Sequence, residues 1–120
     1  MRILFSVFLV LNLIAEVLAA TSLIGGPDGI AAAGRGNQWA MHYGFAVLAI
    51  ASASLWVWPQ RSNIRVVTAV LGVLMVFHSG VLVSLVLAGD QPAGVVIHSV
   101  LALLAIVLFA LRSRWCNVVG

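Results

Sequence analysis

The sequence predicts an all-α integral membrane protein, with four transmembrane helices in an up-down-up-down bundle and both termini in the cytoplasm. Three observations predict this fold. Hydrophobic residues make up 63% and charged residues 8% of the 120 residues, whereas soluble domains contain about 45–50% and about 25%. The apolar residues form four long runs with turn residues between them. Most of the Arg residues fall on one side of a four-span arrangement.

Each run is long enough to cross a membrane, because a spanning helix needs about 20 mostly apolar residues. The runs predict spans over about 3–24, 39–58, 64–88 and 93–111, in one domain of residues 1–120. A Gly-rich segment, Pro59 and the turn at 89–92 separate them. Strands are not expected, because barrel strands are short and alternate in polarity. The short second and third connections predict antiparallel neighbours.

The first run also resembles a secretory signal, with Ala19 and Ala20 as a small-residue cleavage site. Glu16, however, lies where the apolar core of a signal should end cleanly. We therefore expect this run to be retained as the first span.

The distribution of Arg residues predicts the orientation. One side of the arrangement carries Arg2, Arg61, Arg65, Arg112 and Arg114, and the other carries Arg35. The side with five Arg residues is expected to face the cytoplasm. The membrane is expected to be the inner (plasma) membrane of a bacterium. A bacterial source is suggested by the absence of Lys and the abundance of Ala, Val, Gly and Arg. The aromatic rings expected to anchor the chain at the membrane interfaces are Trp39, Trp56, Trp58 and Trp115.

The composition excludes several classes of function. Disorder needs low hydrophobicity, and nine charged side chains cannot cover a soluble enzyme. Six Arg against three acids do not form a basic patch, so nucleic acid is not an expected partner. Cys116 is the only cysteine, which excludes an intrachain disulfide and a paired-cysteine metal motif. No CxxCH, GxGxxG, GxSxG or HExxH motif occurs, so independent enzymatic activity has little support.

Each span carries one ionisable residue, and these are Glu16, His42, His78 and His98. Such a residue in hydrocarbon costs about 3 kcal/mol, so it normally faces the protein interior and a partner. All four are expected in the outer half of the bundle, with Glu16 and His78 deeper than His42 and His98. Helical spacing places small residues on the faces of His42 and His98, as in close helix packing. The supporting polar residues are Asn12, Tyr43, Ser79 and Ser99.

Imidazole and carboxylate groups bind transition metals, and two His from different helices can ligate a tetrapyrrole such as haem. The Glu/His cluster is therefore predicted to bind a metal or a cofactor of the haem, pigment or quinone class. One alternative is an accessory or assembly subunit that packs against a larger membrane complex, in which the polar residues fix helix packing. The chain is expected to form a homo-oligomer or to be a subunit of such a complex. A second alternative is passage of protons or a small solute.

In length and number of spans, the chain resembles the small four-span membrane proteins of the DoxX-like kind. No motif extends this resemblance to particular residues. The resemblance implies a four-span architecture and does not imply an activity.

Overall fold

The computed structural model describes residues 1–32 and 38–117 and is almost entirely helical there. Four α-helices, α1 to α4, span Arg2–Gly25, Trp39–Val57, Ile64–Ala88 and Pro92–Leu111, and short 3₁₀ turns cover Ile30–Ala32, Trp58–Gln60 and Arg112–Arg114. In the described part of the chain, these four helices are long and apolar enough to cross a membrane. The prediction of four helices long and apolar enough to span a membrane is therefore confirmed. Arg35 lies outside the described residues.

Local signals in the sequence explain where α3 and α4 begin and end. The Asn63 side chain accepts a hydrogen bond from the backbone N–H of Arg65 at 3.0 Å and caps the start of α3. Gly89 adopts a left-handed conformation with φ of 73° and donates its N–H to Leu85, which ends α3. Pro92 begins α4, where its missing N–H costs no helical hydrogen bond.

The chain divides into two compact units. The α2 unit comprises Val10–Trp56, and the α3–α4 unit comprises Met1–Leu9 with Val57–Gly120. The helix α1 contributes its first turns to the α3–α4 unit and the rest of its length to the α2 unit.

Within the α2 unit, α1 and α2 pack as an antiparallel pair. The Asn12 side-chain amide donates a buried hydrogen bond of 2.9 Å to the Ser54 hydroxyl. Towards the other end of the pair, Gly44 lies so close to α1 that an added Cβ would be 2.7 Å from Ile24 Cγ1. Glycine is therefore required at position 44 for this close approach. The residues of α2 that are buried within this unit are Gly44, Val47, Ala51 and Ser54.

Within the α3–α4 unit, α3 and α4 are also antiparallel, as their contacts show. Residues early in α3 meet residues late in α4: Arg112, directly after α4, donates from Nε to the Thr68 hydroxyl at 2.9 Å. Near the turn, the Leu85 side chain packs over Gly94. The predicted antiparallel pairing of these two helices is therefore present. The buried apolar residues of these two helices are Val67, Leu71, Leu74, Leu101, Ala102, Ala105 and Leu108.

The two ends of the described chain meet in the α3–α4 unit. Arg2 donates from Nε to the Trp115 carbonyl at 2.7 Å and from Nη2 to the Asn117 side-chain oxygen at 2.6 Å. Asn117 in turn pairs through its backbone with Ser62 and Ile64 beside the start of α3. The N-terminal turns, the start of α3 and the C-terminal segment therefore lie at one end of this unit.

The predicted anchoring role of the four Trp residues needs one correction. Trp39 and Trp56 are 79% and 76% exposed and Trp58 is 40% exposed, as an interface anchor requires. Trp115 is only 7% exposed, and its ring packs against Phe5 at 5.1 Å between centroids. Because the C-terminal segment folds back onto the start of α1, Trp115 is a core residue and not an anchor.

Candidate metal centre

Two histidines meet between α3 and α4. The Nδ1 atoms of His78 and His98 are 3.1 Å apart, and the ring centroids are 5.3 Å apart. His78 is fully buried and His98 is 9% exposed. The antiparallel pairing of the two helices brings together two residues that are 20 positions apart in the chain.

Aromatic side chains surround the pair. The Phe77 ring lies edge-on to both imidazoles, with centroid distances of 5.3 Å to His78 and 6.3 Å to His98. Phe8, from the first turns of α1, meets His78 edge-on at 6.4 Å. These rings exclude water and fix the planes of the imidazoles, so the direction of each Nδ1 atom is set by packing.

The 3.1 Å separation is compatible with two kinds of chemistry. Two neutral imidazoles can share a hydrogen bond, in which one Nδ1–H donates to the bare Nδ1 of the other ring. Alternatively, both Nδ1 atoms can bind one metal ion. Tetrahedral geometry with Zn–N bonds of about 2.0–2.1 Å places two ligand nitrogens about 3.3 Å apart. The pair therefore needs to open by only about 0.2 Å to accept an ion in tetrahedral geometry.

Glu16 lies on the buried face of α1. This face carries Phe8, Asn12, Glu16 and Ala20, which recur at four-residue spacing and are all buried. The expectation that Glu16 and its neighbour Asn12 point into the protein is confirmed. Glu16 is 1% exposed, and a carboxylate is a possible metal ligand, as the imidazoles of His78 and His98 are.

His42 does not belong to the buried residues. It lies on the exposed face of α2, where its ring meets Trp39 edge-on at 6.3 Å. The expectation that His42 faces the interior is wrong. The reason is that α2 has small residues on two faces, and the close approach of α1 at Gly44 buries the face that does not carry His42. For His98, the prediction that a helix face with small residues points into the protein is confirmed, because Ala102 and Ala105 are buried with it.

The predicted depths of the histidines also need correction. The sequence predicts that His78 lies deeper in the bundle than His98. The structure brings these two side chains into direct contact. Counting residues from the end of a span gives a position along the helix axis and leaves out the length and direction of the side chains.

The supporting polar residues have separate roles. Asn12 bonds to Ser54, a partner that the sequence reasoning missed although Ser54 is a polar residue within an apolar run. The Ser99 hydroxyl donates to the Val95 carbonyl at 2.7 Å, within its own helix. Tyr43 is 43% exposed and Ser79 is half-buried. The sequence reasoning also missed Phe8 and Phe77, which no periodicity distinguishes from other apolar residues.

Comparison with known protein families, with curated protein sequences and with solved structures finds no match to this chain.

Proposed function

We propose that this protein binds a divalent first-row transition-metal ion such as Zn²⁺ within the membrane. The proposed ligands are Nδ1 of His78, Nδ1 of His98 and the carboxylate of Glu16. The observation that carries the proposal is the 3.1 Å approach of the two Nδ1 atoms, which is close to the spacing of two nitrogens on one tetrahedral metal ion.

The charge of the proposed ligands suits an apolar environment. Two neutral imidazoles and one carboxylate reduce a divalent ion to a net charge of +1, whereas two imidazoles alone leave it at +2. Buried charges are normally paired or bound to metals, because their desolvation is costly. Glu16 lies on the same buried face of α1 as Phe8, and Phe8 contacts His78. The burial and the negative charge of Glu16 support it as the third ligand.

The geometry favours a bare metal ion over the tetrapyrrole considered from the sequence. Axial ligation of haem by two histidines places the imidazole nitrogens on opposite faces of a flat macrocycle. The Nδ1 atoms of His78 and His98 are instead within hydrogen-bonding distance, with Phe77 packed against both rings. Space for a macrocycle between them would require separation of α3 from α4.

The proposed setting is the inner membrane, with four spans in up-down-up-down order and both termini in the cytoplasm. Support comes from the contacts of Arg2 and Asn117, which bring both ends of the described chain to one end of the α3–α4 unit. Arg residues concentrate at this end, as the positive-inside rule expects for a cytoplasmic surface.

Metal content measured on protein purified without a polyhistidine tag tests the proposal. The protein is stripped with a chelator, incubated with Zn²⁺, desalted and analysed by inductively coupled plasma mass spectrometry. We expect about one ion per chain, and loss of the ion in His78→Gln and His98→Gln. His42→Gln is the matched control, because it removes an exposed histidine, and it should retain the ion.

Glu16→Gln tests the third ligand separately. It keeps the size of the side chain and removes its charge, so zinc affinity should fall while zinc still binds to the two histidines. Asp90→Asn is the control, because it removes an exposed acid in the turn after α3. Far-UV circular dichroism establishes that each variant is folded. A folded wild-type protein that binds no zinc overturns the proposal and favours a packing subunit, whereas equal occupancy in all variants shows adventitious binding.

A further inference from the structure

An open apolar groove runs along the outside of the α3–α4 unit. It has a volume of 670 Å³ and lies over a stretch of α3 where the side chains are small, with Phe77 and Phe109 as its walls. The small residues at its floor are Thr68, Ala69 and Gly72. Gly72 leaves space, since an added Cβ would meet nothing closer than a Phe109 ring carbon at 3.9 Å.

One end of the groove carries positive charge. Arg112 donates to the Thr68 hydroxyl, and its Cζ atom lies 4.0 Å from the centre of the Phe109 ring, so two groove-lining residues hold the guanidinium in place. Arg65 is exposed and precedes Ala69 by one helical turn, on the same face of α3. The only acid close to α3 in sequence, Asp90, follows its opposite end.

Arg112 retains the capacity to bind a ligand. A guanidinium has five N–H donors, and its bonds to Thr68 and to the Phe109 carbonyl use two of them. A planar guanidinium suits phosphate oxygens, which it can bind through two parallel hydrogen bonds. The groove therefore combines an apolar surface with a cationic end whose guanidinium suits a phosphate group.

We propose that this groove is a binding site for one anionic phospholipid, with an acyl chain along Gly72 and Phe109 and the headgroup phosphate at Arg112 and Arg65. Basic pockets between helices on the cytoplasmic side of a membrane are typical sites for such headgroups. A zwitterionic lipid lacks the net negative charge that two Arg residues favour. The inference does not require metal binding, although Phe77 both lines the groove and packs against the two histidines.

Native mass spectrometry of delipidated protein tests this site. Phosphatidylglycerol and phosphatidylcholine with identical acyl chains are titrated separately. We expect one phosphatidylglycerol per chain at low lipid concentration and at least tenfold weaker binding of phosphatidylcholine. Arg112→Gln should weaken phosphatidylglycerol binding about tenfold, because it removes a charge-assisted contact. Arg61→Gln is the control, since Arg61 lies over the Trp58 ring at 5.0 Å and does not line the groove.

Gly72→Leu tests the apolar part of the same site. The leucine side chain should fill the groove and displace the acyl chain, while it keeps the helix apolar and able to insert. Equal binding of both lipids, or unchanged phosphatidylglycerol binding in Arg112→Gln and Gly72→Leu, overturns the proposal. The same spectra report oligomers. If Gly72→Leu dissociates a dimer and leaves lipid binding intact, the groove is an interface between two copies and the lipid proposal is wrong.

Discussion

Replacement of Trp115 by Ala is expected to destabilise the protein strongly, although Trp115 lies near the end of the chain. A tryptophan buries about 150–250 Å² and apolar burial contributes about 25 cal/mol per Å², so full burial corresponds to about 4–6 kcal/mol. Trp115 is 7% exposed and packs on Phe5. Since alanine keeps the Cβ atom and the cavity can partly collapse, we expect a loss of about 3–5 kcal/mol.

Trp56→Ala is the matched control for this prediction. Trp56 is 76% exposed and its Nε1–H donates to the Ser52 hydroxyl at 3.2 Å, within its own helix. Its removal should cost about 1 kcal/mol, because little of its surface is buried in the protein. Unfolding by SDS in mixed micelles, followed by far-UV circular dichroism, compares the two variants at fixed detergent concentration. Equal destabilisation by the two substitutions would refute the assignment of Trp115 to the core.

Three further predictions concern other parts of the chain. Burial raises the pKa of the half-buried Cys116 thiol, although the charges of Arg2 and Arg112 oppose this shift. A smaller fraction of Cys116 is therefore thiolate at any given pH than in a free cysteine, and the pH profile of iodoacetamide alkylation should be displaced to higher pH; a displacement to lower pH would contradict this. Ser54→Ala removes the acceptor of the Asn12 amide and should cost about 0.6–1.7 kcal/mol in micelle unfolding, whereas Ser52→Ala should cost less, and the reverse order would contradict the buried hydrogen bond. A reporter fused after Gly120 should show cytoplasmic activity, and a periplasmic signal there would contradict the proposed orientation.

The four helices could be predicted from the sequence because membrane insertion depends on local composition. A run of about 20 apolar residues identifies a span without knowledge of its neighbours. The ends of the helices also depend on nearby residues. Gly89 can adopt positive φ and Pro92 fits the first helical turn, so the turn between α3 and α4 was predictable to within a residue or two.

The pairing of side chains between helices could be predicted only in part. That Glu16, His78 and His98 are buried follows from the cost of charge in an apolar environment. That His78 meets His98 depends on how α3 and α4 pack against each other, which no single span encodes. His42 shows the limit most clearly, because small residues on two faces of α2 left the buried face undecided by sequence. The burial of Trp115 depends on contacts with Arg2 and Phe5 at the far end of the chain.

X-ray absorption at the zinc K-edge of the zinc-loaded protein tests the central claim most directly. The ligands proposed here predict two imidazole nitrogens and one or two oxygens at about 2.0–2.1 Å from the zinc ion. Sulfur scattering at about 2.3 Å would instead place the ion on Cys116. A spectrum with sulfur, or with oxygen ligands and no imidazole, would contradict a metal centre at His78 and His98.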